Sequence, residues 1–212
     1  MIFINEIAAS ASSSEYLRKI CWREEWVHPY ESIISIIEKI KVANVIESED
    51  IIRGLGTKIL REQRTITTAA KNMDLYTMQS FDDELFMYYT NYDLKKQKEL
   101  IKKVCNSSYV GRKTYDHFSK YLKYCEECLE YHFHSIFHQL WAVNVCPFHG
   151  ISLRDTCVRC NKTRSYSFKY GDHFRCYCGY SFITENSSGR TIWANWGREF
   201  EIKKDIFIWT YI

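Results

Sequence analysis

The hydrophobic pattern of residues 30–47 predicts the clearest helix in the chain. Isoleucines recur there at spacings of three and four residues, with Glu38, Lys39 and Lys41 between them. The apolar face of this helix comprises Ile33, Ile36, Ile37, Ile40 and Val45. We expect this face to be an ordinary part of the hydrophobic core.

Weaker patterns predict further short helices in the first 120 residues. Most of them combine a side chain suited to the helix N-cap with apolar residues at helical spacing. The predicted spans run from Asp50 to Leu60, from Ser80 or Asp82 to Tyr89, from Leu94 to Val104 with Asp93 as the cap, and over residues 115–124. Gly54 and Gly56 weaken the first of these spans.

The pattern changes at residue 125, where cysteine pairs and turns replace helical periodicity. Seven of the nine cysteines lie between residues 125 and 178. They form four half-sites: Cys125-x-x-Cys128, Cys146-x-x-His149, Cys157-x-x-Cys160 and Cys176-x-Cys178. Zinc prefers four tetrahedral sulfur or nitrogen ligands, and a short gap lets one turn present two ligands to the same ion. The four half-sites therefore predict two structural Zn²⁺ ions.

The pairing of the half-sites has two solutions. Sequential pairing leaves loops of 17 and 15 residues, a length typical of zinc ribbons and fingers. Interleaved pairing, as in cross-brace domains, is the alternative. Four more histidines are spare ligand candidates that we interpret as core or surface residues: His132, His134, His138 and His173. We interpret the two remaining cysteines, Cys21 and Cys105, as buried apolar side chains.

The ligand sets also indicate that the protein is not an enzyme. Four protein ligands leave no coordination position for a substrate. The chain has no His-x-Glu upstream of the cysteine pairs, as a zinc deaminase requires, and no His-Glu-x-x-His. A metal without an open coordination position serves to stabilise the fold. From the predicted elements we expect the fold class α+β, mainly α. We divide the chain into a helical domain (1–120), a tandem zinc-binding domain (121–185) and a C-terminal extension (186–212).

The charge distribution suggests where nucleic acid would bind. The net charge is only +3, but residues 95–124 carry nine Lys and Arg against two acidic residues. The candidate phosphate contacts are Lys102, Lys103, Arg112, Lys113, Arg159, Lys162 and Arg164. A solvated helix face is the other interpretation of the basic stretch. Tyr166, Phe168 and Tyr170 alternate with polar residues, and we expect them to pack near the metal, with base stacking as the alternative.

The apolar runs and the N-terminus predict a cytoplasmic protein. No run reaches the 18 apolar residues that span a bilayer, and no basic region precedes the first apolar residues as in a signal peptide. Thiols stay reduced in that compartment, which favours metal binding over disulfides.

Two longer motifs include the first three half-sites and the start of the first predicted helix. The first comprises Tyr124-Cys-Glu-Glu-Cys-Leu129, Phe137-His-Gln-Leu140, Val145-Cys-Pro-Phe-His-Gly-Ile-Ser-Leu153 and Cys157-Val-Arg-Cys160. The second is His28-Pro-Tyr-Glu-Ser-Ile-Ile-Ser35. Together they resemble the TniQ family, also called TnsD/TniQ, whose opening motif is Pro-x-Glu-Ser-x-x-Ser. The resemblance covers roughly residues 26–180. The sequence departs from the family's usual residues at Ile36, Lys39, His138 and Asn161, and every expected zinc ligand is present.

This resemblance implies a role in choosing the insertion site of a mobile element. TniQ-like proteins bridge target DNA, or an RNA-guided DNA-binding complex, to an AAA+ ATPase that recruits the transposase. It also implies a helix-turn-helix-like N-terminal part and C-terminal zinc ribbons. We expect a short, adaptor-like member or a fragment. Two other hypotheses are a zinc-ribbon DNA-binding factor of the transcription type and a zinc hydrolase or deaminase.

Overall fold

The computed structural model describes residues 20–62, 75–108, 117–167, 174–183 and 192–203, which are mainly helical with little strand. The helices of the first part are α1 (Ile33–Asn44), α2 (Ser48–Leu55), α3 (Lys58–Glu62), α4 (Asp83–Thr90) and α5 (Leu94–Ser108). Two single-turn helices follow, α6 (Glu126–Leu129) and α7 (Ile136–Gln139), together with 3-10 turns at Glu24–Trp26 and Ile192–Asn195. Isolated antiparallel bridges connect the extended segments. No helix in these ranges has the length and apolar character to cross a bilayer.

Helix α1 is buried on every side over residues 33–40, and its last four residues are partly exposed. The predicted isoleucines at 33, 36, 37 and 40 are fully buried, which confirms that face. Glu38 and Lys39, predicted to lie between the core positions, are buried as well, so the helix is not simply amphipathic. The placement of Val45 in the core was wrong, because Val45 takes the left-handed conformation that ends α1 (φ 53°) and is 93% exposed.

A fully buried ion pair holds the start of α1. Lys39 Nζ lies 2.8 Å from Glu31 Oε1, and neither side chain is exposed. The ammonium group also donates to the carbonyl of Trp26 (2.7 Å), and the N–H of His28 donates to Glu31 Oε2 (2.9 Å). Gln97 on α5 donates to the Glu31 carbonyl (2.8 Å). Burial lowers the pKa of Lys39, while the Glu31 carboxylate opposes this shift.

The first turn of α1 binds the segment that follows α6. The Ser35 hydroxyl lies 2.7 Å from the His132 carbonyl and accepts a hydrogen bond from the His134 N–H (3.1 Å). The Ser32 N–H donates to the His134 carbonyl (2.8 Å), and its hydroxyl lies 2.8 Å from His134 Nδ1. His134 Nε2 donates to the Lys123 carbonyl (2.8 Å). Burial lowers the pKa of His134 to about 3, so the ring is neutral at physiological pH.

The predicted helix from Asp50 to Leu60 is two helices, α2 and α3. Asp50 belongs to a capping box at the start of α2, in which Glu47 is the N-cap. Gly56 ends that helix. A Cβ at this position would lie 2.4 Å from the Ile52 carbonyl oxygen, so the chain has no room for a side chain where it turns toward α3.

Helices α4 and α5 confirm the capping predictions. The Asp82 carboxylate accepts hydrogen bonds from two backbone N–H groups in the first turn of α4, both at 3.0 Å. Asp93 accepts from the Lys95 N–H (3.1 Å) at the start of α5. Helix α5 extends to Ser108, one turn beyond the predicted end.

The prediction of a helix over residues 115–124 was wrong for the described part, residues 117–124. This segment is extended and forms antiparallel bridges to three separate parts of the cysteine-rich half: Phe118 to Leu140, Tyr121 to Ser165 and Tyr124 to Arg154. Its apolar side chains therefore reach the core from an extended backbone. The apparent helical periodicity did not distinguish these two arrangements.

The segment 192–203 packs back onto the rest of the molecule. Trp196 is fully buried and its ring meets Trp26 edge-on, with centroids 5.0 Å apart. Phe200 stacks on Phe133 at a centroid distance of 4.4 Å. These residues, which the sequence indicated only as part of a C-terminal extension, contribute to the core.

We predict that Lys39→Met lowers the free energy of unfolding by about 3–5 kcal/mol, because it leaves the Glu31 carboxylate buried without its cation. Urea denaturation followed by circular dichroism measures the change. Lys96→Met, on the exposed face of α5, is the matched control and should stay within about 0.5 kcal/mol of the parent protein. A decrease below about 1 kcal/mol for Lys39→Met would contradict the structural role of the pair.

Candidate metal centres

The first candidate centre brings together Cys125, Cys128, Cys146 and His149, whose ligand atoms all lie within 4.8 Å of one another. Cys125 is the N-cap of α6, and Cys128 lies within this helix. Nδ1 of His149 lies 3.4, 3.2 and 3.7 Å from the sulfur atoms of Cys125, Cys128 and Cys146. The three cysteines are completely buried.

The second candidate centre brings together Cys157, Cys160, Cys176 and Cys178, again within 4.8 Å of one another. The sulfur atoms of Cys157 and Cys178 are 3.7 Å apart, and those of Cys160 and Cys176 are 3.5 Å apart. Cys178 is exposed and Cys160 is partly exposed. The structure thus places the four half-sites in the sequential pairs. The cysteines of the first set are all buried, whereas the second set has two buried cysteines, Cys157 and Cys176, and two that reach the surface.

Both sets have the dimensions of a tetrahedral zinc site. Zn–S bonds of about 2.3 Å and Zn–N bonds of about 2.0–2.1 Å place tetrahedral ligands about 3.8 Å apart for two sulfurs and about 3.5 Å apart for sulfur and nitrogen. The measured separations of 3.2–3.7 Å in the first centre and 3.5–3.7 Å in the second agree with these values. The donor atoms, thiolates and one imidazole, are those that zinc prefers.

Two tight turns with the same hydrogen bonds present the ligands that follow Cys146 and Cys157. The N–H of Cys146 donates to the Ile151 carbonyl, and the N–H of Cys157 donates to the Lys162 carbonyl. In both turns the carbonyl of the cysteine accepts a hydrogen bond from the N–H of the residue four positions later. That fourth residue is Gly150 (φ 74°) in the first turn and Asn161 (φ 55°) in the second. Asparagine tolerates the left-handed region better than most residues, so the departure at Asn161 preserves the turn.

The thiols of each centre differ from one another in the direction of their pKa shifts. Burial raises the pKa of Cys128 strongly, whereas hydrogen bonds from Cys125 and Cys128 lower the pKa of Cys146. Burial also acts to raise the pKa of Cys157, but hydrogen bonds from the backbone of Cys160 and Arg159 outweigh it and bring the pKa to about 7. Because a metal binds the thiolate form, its binding displaces the protons that remain on these sulfurs.

His149 is the more accessible ligand of the first centre, and the C-terminal segment partly covers it. Lys203 donates from Nζ to the His149 carbonyl (3.0 Å), and the Phe200 ring meets the imidazole edge-on at 6.0 Å. Nε2 of His149 lies 3.8 Å from Glu127 Oε2 on the solvent side. A carboxylate there favours a proton on Nε2 and leaves the lone pair of Nδ1 for a metal.

The remaining histidine and cysteine candidates lie outside the two ligand groups of the described residues. His132 is buried beside Trp196, with ring centroids 5.6 Å apart. His138 is fully buried next to the first centre. Cys21 is exposed, so its interpretation as a buried residue was wrong. His173 and the side chain of Cys105 fall outside the described residues.

The predicted phosphate contacts have different positions. Lys102 and Lys103 are exposed on α5, and Arg159 and Lys162 are exposed at the turn of the second centre. Arg112 and Lys113 fall outside the described residues. Arg164 is only 4% exposed, and its guanidinium lies over the Tyr177 ring, 5.5 Å from the centroid. This burial argues against Arg164 as a phosphate contact.

Two other side chains of the basic and aromatic stretches, Lys123 and Tyr166, are also buried and make contacts within the fold. Lys123 is buried, and its ammonium group donates to the carbonyls of Leu140, Trp141 and Val143. Tyr166 is fully buried and stacks on Tyr76 at 5.0 Å, which supports packing rather than base stacking at this position. Phe168 and Tyr170 fall outside the described residues.

A protein-family model described as TniQ matches residues 26–153, more than half of the chain. The matched region begins before α1, includes all four residues of the first centre and ends before those of the second. No curated protein matches the chain.

We predict that the purified protein contains two zinc ions per chain and releases them to a chelator in two phases. The second centre should release its ion first, because a chelator reaches the exposed Cys178 more readily than the buried thiols of the first centre. A colorimetric chelator in excess measures both the total zinc and the two rates.

Variants that lack one ligand show which centre gives rise to each phase of zinc release. Cys160→Ser should remove the fast phase, and Cys128→Ser should remove the slow phase. Folded protein that carries a single ion, or a fast phase that persists in Cys160→Ser, would contradict this assignment.

Proposed function

Because this chain belongs to the TniQ family, we propose that it is a target-site selection adaptor in DNA transposition. Membership of this family associates the chain with transposition. In the proposed role, the protein links target DNA, or an RNA-guided DNA-binding complex, to an AAA+ transposition regulator. The observation that carries the proposal is the family match over residues 26–153.

The contacts within the matched region support a preformed adaptor. Ser32 and Ser35, from the motif that opens the match, bind the backbone of residues 132–134, which directly follow the first ligand pair. The two motifs therefore meet in the interior, where both serines are fully buried. A protein that is already held in one arrangement pays a smaller conformational cost when it binds a partner.

The closed ligand sets support a non-catalytic role. Each centre has four protein ligands, and an ion with four such ligands keeps no open position for water or substrate. In the proposal, both centres hold structural Zn²⁺. We also propose that residues 1–120 form the helix-turn-helix-like domain, residues 121–185 the tandem zinc domain and residues 186–212 an extension.

Exposed cations give the proposed DNA contacts. Lys102 and Lys103 lie on the solvent side of α5, whose other side buries Ile101 and Val104. Arg159 and Lys162 are exposed at the second centre. Cations on fixed elements suit the phosphate backbone, which provides affinity without base specificity.

We predict that this chain captures an AAA+ transposition regulator in an ATP-dependent manner. Tagged protein is incubated with the AAA+ protein and either a non-hydrolysable ATP analogue or ADP, and the captured amount is measured. Capture should be strong with the analogue and weak with ADP.

The control uses Cys128→Ser protein, which should no longer capture the AAA+ protein because the first centre can no longer hold residues 132–134 against α1. The parent protein could instead fail to capture the AAA+ protein in both nucleotide states and bind duplex DNA tightly without a partner. That result would favour the zinc-ribbon transcription-type alternative.

We predict that Lys102→Gln/Lys103→Gln weakens binding to duplex DNA and reduces its dependence on salt. The slope of log K against log salt should fall by about 0.9 for each phosphate that the variant no longer neutralises. Fluorescence anisotropy at several salt concentrations measures the slope.

Arg53→Gln/Lys58→Gln on α2 and α3 removes the same charge from exposed positions and is the matched control. The same decrease of slope in both double variants would indicate a general charge effect rather than phosphate binding at α5.

A further inference from the structure

His138 lies beside the first metal centre but outside its four ligands. Its side chain is fully buried. Nε2 is 3.5 Å from the Cys146 sulfur and 3.8 Å from the Cys128 sulfur. The other ring nitrogen, Nδ1, accepts a hydrogen bond from the Ser135 backbone N–H (3.3 Å) in the capping box of α7.

This capping bond determines which nitrogen of His138 carries the proton. A backbone N–H can only donate, so Nδ1 must offer its lone pair to Ser135. A neutral imidazole then carries its proton on Nε2, the atom that faces the two sulfurs. His138 is therefore oriented as a donor to the thiolates, because a metal ligand would need a free lone pair on Nε2. His149 has the opposite arrangement, with Nδ1 facing the sulfurs.

The charge of the first centre explains why a donor is needed there. Three thiolates and one neutral imidazole around Zn²⁺ leave a net negative charge, and the three cysteines are completely inaccessible to solvent. A buried charge without hydrogen bonds is costly. The nearby rings of Phe133 and Phe148, at 6.4 and 6.1 Å from the His138 ring, offer no strong donor.

We propose that His138 positions and stabilises the zinc-bound thiolates of Cys146 and Cys128 by donating an N–H···S hydrogen bond from Nε2. This role rests on the zinc occupancy proposed for the first centre and is independent of any role in transposition. Partners of this kind, one step removed from the metal, commonly change metal affinity by about 10–100-fold.

Nitrogen-15 NMR of the zinc-loaded full chain tests the proton position directly. The His138 ring should show a protonated Nε2 and an unprotonated Nδ1. With ¹¹³Cd in place of zinc, the His149 Nδ1 should couple to the metal and His138 should not. Protonation of His138 on Nδ1, or coupling of its Nε2 to cadmium, would overturn the proposal without the need for any variant.

Zinc competition with a chromophoric chelator tests the energetic effect. His138→Phe keeps a ring but removes the donor, and the first centre should bind zinc about 10–100-fold more weakly. His138→Gln retains an N–H group at a similar distance along the side chain and should recover part of that affinity. The affinity of the second centre should be unchanged in both variants.

A third variant controls for the removal of a buried histidine ring. His28→Phe changes a buried histidine that packs edge-on against Phe133, 5.2 Å away, and should leave both affinities unchanged. Equal decreases of affinity in His138→Phe and His138→Gln would overturn the donor role. A first centre that holds no zinc in the parent protein would contradict the proposed zinc occupancy itself.

Discussion

The hydroxyl of Ser35 lies at the junction between the helical part and the metal-bearing part of the molecule. It contacts the Glu31 carboxylate on its own side and the backbone of His132 and His134 on the other. The segment that carries those two histidines is held by the Cys128 carbonyl, which accepts hydrogen bonds from the N–H groups of Tyr131 and Phe133. A ligand of the first centre and the docking site for α1 therefore belong to one short piece of chain.

This junction explains why α1 tolerates buried charge. Buried polar groups are stable only when they are hydrogen-bonded, and Glu31 and Lys39 each meet several partners of fixed position. Those partners lie just before α1 and on α1 itself, and one of them, Ser35, also bonds to the backbone of His132 and His134. The buried polar groups at the start of α1 thus favour one docked arrangement, whereas the isoleucine face would accept many apolar surfaces.

The sequence predicted the parts of the fold that local chemistry determines. The ligand groups followed from cysteine spacing, and the starts of α4 and α5 followed from Asp82 and Asp93. The extended segment at 117–124 was missed because its pairing partners lie far along the chain. The fully buried Trp196 carried no local signal either, and the role of His138 depends on a backbone group of Ser135 that only the folded chain places beside it.

The exposure of the two centres agrees with the charge that each would carry with zinc bound. A set with three thiolates and one imidazole leaves one net negative charge around Zn²⁺, and a set with four thiolates leaves two. The more highly charged set lies nearer to solvent, with Cys178 exposed and the exposed cations Arg159 and Lys162 beside it.

The less highly charged set lies in the core, where His138 can offset its charge. Burial is thus greatest where the charge is least, as the cost of removing an ion from water requires. In this arrangement the first centre stabilises the interior and its contacts with α1. The second centre instead lies beside Val158 and Tyr177, which are 44% and 51% exposed at the surface.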